Sequence, residues 1–163
     1  MSDPFEQLTR SHRRLEERLR DLVDAASSDG FDESVARGVA DFLSRQVKRH
    51  EADEEESLFP RLASVSELAP IVEQLKDEHV THVALHQRLE RALANDPLDR
   101  EEIKRVALAL EDAYRTHIDV EEAVLFPTAR RGLSERDLAS IYEEMQARRD
   151  HGPQGGGRRG DRR

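Results

Sequence analysis

The 163-residue sequence predicts an all-α protein, an antiparallel up-down-up-down four-helix bundle followed by a short fifth helix and a disordered tail. Three observations predict it. Apolar residues recur at alternating spacings of three and four along four long segments. Clusters of Pro, Gly, Asn, Asp and Ser interrupt the chain where each periodic segment ends, and no stretch alternates as a strand would. This periodicity outweighs the composition, 37% charged residues with a mean hydropathy of −0.80, which alone reads as partial disorder.

The first helix opens on Asp3-Pro4, a cap followed by Pro at the first helical position, and buries Phe5, Leu8, His12, Leu15, Leu19, Leu22 and Ala26. It ends near Ser27-Ser28-Asp29-Gly30. The second begins after Asp32, carries Val39, Leu43, Val47, His50, Glu54 and Leu58 on one side, and stops around Phe59-Pro60. A linker with a turn capped by Ser66 leads to the third helix, which starts at Pro70 and shows Leu75, His79, His82, His86, Leu89 and Leu93. Asn95-Asp96-Pro97 ends it. The fourth helix carries Ile103, Val106, Leu110, Ala113, His117, Glu121 and Val124 and stops near Phe126-Pro127. Gly132 and Ser134 introduce a shorter amphipathic helix with Leu138, Ile141 and Met145, expected to pack outside the bundle or to mediate association.

Residues 1–150 are therefore read as one domain and 151–163 as a Gly/Arg-rich tail. Residues 152–163 contribute +3 to the net charge of −9, leaving −12 for the rest. Such a tail has nothing to bury. With no aromatic interleaved and an acidic body, nucleic-acid binding is not expected. The apolar runs, such as residues 106–110, are too short to span a bilayer, and the N-terminus lacks a signal-peptide pattern, so a soluble cytoplasmic protein is expected. Zero Cys excludes disulfides, iron–sulfur clusters, thiolate zinc sites and Cys nucleophiles. Any metal must take nitrogen and oxygen ligands.

Six of the seven His lie in the apolar stripes, with His151 the exception. One such His is ordinarily a hydrogen-bonded core residue; six in one small bundle, with two carboxylates on the same stripes, point to a metal site. The strongest local signal is an internal repeat. The pattern His-x-x-x-Glu-Glu-x-x-Leu-Phe-Pro occurs from His50 and again from His117, at an offset of 67 that also brings His12 onto His79. Two copies of a helix pair should be related by a pseudo-twofold axis. Residues four apart on a helix stack, so each His-x-x-x-Glu aims an imidazole and a carboxylate at one point. The twofold sets the two pairs face to face, with His from the first and third helices completing a cage suited to iron, manganese or zinc. Two facing buried carboxylates would otherwise repel or take up protons.

His12, His50-x-x-x-Glu54, His82-x-x-x-His86 and His117-x-x-x-Glu121, with Phe-Pro after each carboxylate, resemble the hemerythrin-like HHE cation-binding family over residues 4–130. The resemblance implies an antiparallel four-helix bundle around an oxo- or hydroxo-bridged di-iron centre with five His ligands and two bridging carboxylates. Glu54 and Glu121 would bridge, His12 and His50 would hold one iron, and His117 with two third-helix His the other. The animal proteins place Asp five residues after the last His; Glu121 at four resembles the bacterial form.

The third helix leaves a choice. The repeat offset picks His79, whereas the family's His-x-x-x-His picks His82 with His86. His79 and His86 are seven residues apart, about 10.5 Å along the axis, and cannot share one metal. His82 belongs to either pair; His82 with His86 is the expected one, with His79 the alternative. Tyr114, one turn before His117, is a candidate donor to a ligand or to bound oxygen. Glu51, Asp53, Glu55, Glu56, Asp119 and Glu122 read as a solvated face that raises the local negative potential. The resemblance leaves a di-iron redox enzyme acting on dioxygen, hydrogen peroxide or nitric oxide, a reversible oxygen or iron binder, storage protein or sensor, and an interaction module whose metal is structural.

Overall fold

The computed structural model describes residues 3–151, and the rest of the expected tail lies outside the described residues. Five helices account for almost all of them. They are α1 (Pro4–Ser27), α2 (33–61), α3 (Ala69–Ala94), α4 (100–132) and α5 (Glu135–Asp150). No strand occurs among the described residues, and no helix is long and apolar enough to cross a membrane.

The helix starts expected at Asp3, Asp32 and Ser134 are capped, Asp99 caps α4 without having been foreseen, and the expected Ser66 cap of the linker turn is not made. The Asp3 carboxylate accepts from the Phe5 amide at 2.8 Å, Asp32 from Val35 at 3.2 Å, Asp99 from Glu102 at 3.0 Å and the Ser134 hydroxyl from Asp137 at 3.1 Å. Each contact satisfies an amide that a helix start leaves without an intrahelical partner. Between α2 and α3 the chain makes two short 3-10 turns, Leu62–Ser64 and Ser66–Leu68. Helices α1 to α4 pack as neighbours in a closed ring, and α5 lies outside it against α1 and α2.

The core has two apolar layers. One is built on Leu19, Leu22, Leu43, Leu89, Ile103 and Leu110, and the other on Phe5, Leu8, Leu58, Leu75, Phe126 and Ile141. In each bundle helix a His lies between positions belonging to the two layers: His12 between Leu8 and Leu15, His50 between Val47 and Leu58, His79 between Leu75 and Leu85, and His117 between Leu110 and Leu125. The polar groups thus form one buried stratum with oil on both sides.

The structure departs from the sequence reading at the second Phe-Pro pair. Helix α2 ends at Arg61, one residue past Pro60 and as expected, whereas Pro127 does not stop its helix and α4 continues to Gly132. A π-helical turn precedes each Phe-Pro pair, Asp53–Leu58 in α2 and Glu121–Leu125 in α4. The Phe59 amide donates to the Glu54 carbonyl and the Phe126 amide to that of Glu121, a wide turn that leaves room for the following pyrrolidine ring. The extra residue also rotates the helix face. Leu125 is therefore fully buried while Val124, expected in the stripe, is 41% exposed.

Candidate metal centre

Each bundle helix sends side chains into the polar stratum. His12 comes from α1, His50 and Glu54 from α2, His79 and His82 from α3, and His117 and Glu121 from α4, all of them buried. The i,i+4 spacing does what the sequence requires: His50 Nε2 lies 3.2 Å from Glu54 Oε1, and His117 Nε2 touches Glu121 Oε1. One nitrogen or oxygen from each of Glu54, His79, His117 and Glu121 lies within 4.8 Å of the others. His12, His50 and Glu121 form a second such group, so Glu121 belongs to both.

The arrangement follows the sequence repeat. The His12 and His50 rings have centroids 4.9 Å apart, and so do those of His79 and His117. His12 Nε2 reaches across to Glu121 at 3.7 Å, and His79 Nε2 to Glu54 at 3.5 Å. Apart from His50 Nδ1, which is buried without a partner among the described residues, the outward ring nitrogens are held as well. His12 Nδ1 donates to Glu122 at 2.7 Å and His79 Nδ1 to Glu55 at 2.9 Å, while His117 Nδ1 donates to Glu78 at 3.0 Å. A carboxylate on Nδ1 fixes the ring and turns Nε2 inward, as outer partners of metal-bound His do.

The electrostatics set buried carboxyls against buried imidazoles. Burial pushes the Glu121 carboxyl well up, and the Glu54 carboxylate opposite pushes it further. Burial acts on Glu54 in the same direction, but the closeness of the Glu121 carboxyl and of the His50 and His79 rings holds it well below the usual range. His79, despite burial, is raised to about 9 by Glu54, Glu51 and Glu55. Burial lowers His117 to about 4, against the pull of Glu54 and with the help of His82 and His79. His79 Nε2 lies 3.2 Å from His117 Nε2, a contact that needs one proton between two nitrogens.

These residues fit metal ions. All four oxygens of Glu54 and Glu121, together with His12 Nε2, are buried without a hydrogen-bond partner among the described residues. Unpaired buried carboxylate costs several kcal/mol, and a cation shared by the two acids and the facing imidazoles removes that cost.

The third helix differs from the expected pairing. His79 lies in the cluster, and the His82 ring sits 4.8 Å from that of His117, whereas His86 is half-buried and hydrogen-bonded to the Tyr114 hydroxyl at 2.9 Å. The three-residue step from His79 to His82 keeps both on the inner face, and His86 comes a further turn along α3. Tyr114 in turn donates to Glu51 at 3.2 Å, which accepts from His82 Nδ1 at 3.3 Å. Burial drives His86 down to about 4.

The acidic face is less solvated than its sequence reads. Glu51 and Asp53 are buried, Glu55 and Glu122 hold imidazoles, and Glu56 pairs with Arg148 at 3.2 Å. Glu55 and Glu122 were findable, because the offset of 67 relates them just as it relates His79 and His12. Glu78 was not: its counterpart under the offset is Ser11, and only the fold brings it to His117.

A four-helix bundle with a buried stratum of imidazoles and carboxylates able to hold metal ions defines a metal-binding helical protein. The family model described as the hemerythrin HHE cation binding domain matches residues 3–129, and the chain belongs to that family. Among curated proteins, none matches the sequence.

Proposed function

We propose that this chain is a non-haem di-iron protein that reacts with dioxygen or hydrogen peroxide, with nitric oxide as a further small-molecule candidate. His12, His50, His79, His82 and His117, together with Glu54 and Glu121, would hold the ions. The observation that carries this reading is the facing pair of fully buried carboxylates with four unpartnered oxygens. The all-nitrogen and oxygen donor set suits iron. Two iron ions held there would supply redox chemistry toward a small oxidant.

The chain's own residues do the rest. Glu122, Glu55 and Glu78 orient His12, His79 and His117, and the two apolar layers keep bulk water from the stratum. His86 Nε2–H donates to the Tyr114 oxygen and Tyr114 donates to Glu51, a line of hydrogen bonds from a half-buried imidazole to the carboxylate that holds His82.

The test is anaerobic iron loading followed by separate additions of dioxygen and peroxide, with the absorption spectrum and evolved gas recorded. Two irons per chain and sustained gas from peroxide are expected. Fewer than one iron per chain after reconstitution overturns the reading. Reversible dioxygen uptake with no gas from peroxide assigns the site to binding rather than turnover.

A further inference from the structure

The fifth helix falls outside the stretch that defines the family: the match ends at residue 129, and α5 begins at Glu135. Its contacts concentrate on the π turn Asp53–Leu58, which carries Glu54. Asp53 is fully buried, belongs to neither group of metal-holding residues, and points to α5 instead. It accepts from Arg148 Nη1 at 3.0 Å and from Arg149 Nη2 at 3.2 Å. Arg148 also donates from Nη2 to Ser57 Oγ at 2.6 Å, and Ser57 donates to Glu144 Oε1 at 2.7 Å. Helix α5 thus holds this π turn at its first residue and near its last.

Successive residues on a helix point about 100° apart, so fixing the direction of Asp53 fixes the rotation of the turn and with it the direction of Glu54. A π turn has weaker preferences of its own than an α turn and persists where its surroundings hold it. The α4 counterpart, Glu121–Leu125, has Val120 where α2 has Asp53 and, among the described residues, no arginine clamp from α5; α1 meets it at Glu122 instead. We infer that Asp53, Arg148 and Arg149 form a positioning device for Glu54, and that the fifth helix is there to lock the Glu54 turn in its metal-holding orientation. The inference rests on the metal-centre reading above.

The test uses the full chain. Hydrogen exchange of amides 53–58 is measured in the metal-free protein, and ferrous iron affinity under nitrogen by competition with a colorimetric chelator. Arg148→Gln should speed exchange in that segment at least tenfold and weaken ferrous affinity at least tenfold. Arg148→Lys, which keeps the charge on Asp53, should recover most of both. Ile141→Val trims the core face of α5 without touching Asp53 and controls for simple loss of stability; it should change neither beyond threefold. Asp53→Asn, of nearly unchanged volume, repeats the test should Arg148→Gln fold poorly. Unchanged exchange and affinity in Arg148→Gln and Asp53→Asn overturn the inference, as does an equal loss in Ile141→Val. If the native protein takes up no ferrous iron, the metal-centre reading falls and the positioning role with it. Uptake by the native protein that these variants match overturns the positioning role alone.

Discussion

His12 and His79 occupy equivalent places in the two halves of the bundle. Each turns Nδ1 to a glutamate that follows a buried carboxylate, Glu122 at 2.7 Å and Glu55 at 2.9 Å, and aims Nε2 at the buried carboxylate of the other sequence repeat unit. The 67-residue repeat is therefore a repeat of hydrogen bonds as well as of sequence.

That equivalence makes the outer glutamates interchangeable in effect. Glu122→Gln and Glu55→Gln should each weaken ferrous affinity about 10- to 100-fold, because the imidazole loses the partner that orients it and raises its basicity. Chelator competition on the two variants checks this. An effect confined to one half would show that the halves differ in function despite their shared geometry.

The third helix gives a direct contrast. His79→Ala should lose iron, since its Nε2 stands 3.2 Å from His117 Nε2 and 3.5 Å from Glu54. His86→Ala should retain it, because that ring is taken up by Tyr114 at 2.9 Å. Iron content per chain after identical reconstitution decides between them, and the opposite pattern would restore the His82 and His86 pair.

Stability and metal holding should oppose each other at the paired acids. Glu121 is pushed well up by burial and by Glu54, so the metal-free fold disfavours its charged form. Glu121→Gln should leave the metal-free melting temperature unchanged or raise it, while ferrous affinity falls at least about 100-fold. Calorimetry of the metal-free variant with parallel iron titration measures both.

His86 should contribute an acid-sensitive part of stability. Its folded value is about 4 against an ordinary 6.5, so between these the unfolded chain binds a proton that the folded one does not. The contribution is complete above pH 6.5 and is lost as the pH falls toward 4, by up to about 3 kcal/mol. Urea unfolding of the metal-free protein from pH 7 to pH 4 should therefore show a shallower loss in His86→Gln than in the native chain.

Helix periodicity, the caps at Asp3, Asp32 and Ser134, the repeat and the convergence of His50, Glu54, His117 and Glu121 are all legible in the sequence, because i,i+4 stacking and capping are local and need no knowledge of the partner helix. Tertiary structure decided the rest. The π turns before Pro60 and Pro127 shift the face enough to bury Leu125 and expose Val124, a rotation that the spacing of apolar residues does not encode. How α3 turns against its neighbours places His79 and His82 inward and leaves His86 to Tyr114, although all three lie on one stripe. The roles of Glu78 and Asp53 depend on helices far along the chain, His117 on α4 and the arginines of α5. Sequence by itself determined which side chains a helix presents on one face; which of them meet across the bundle was set by helix rotation and packing, which are properties of all the contacts at once.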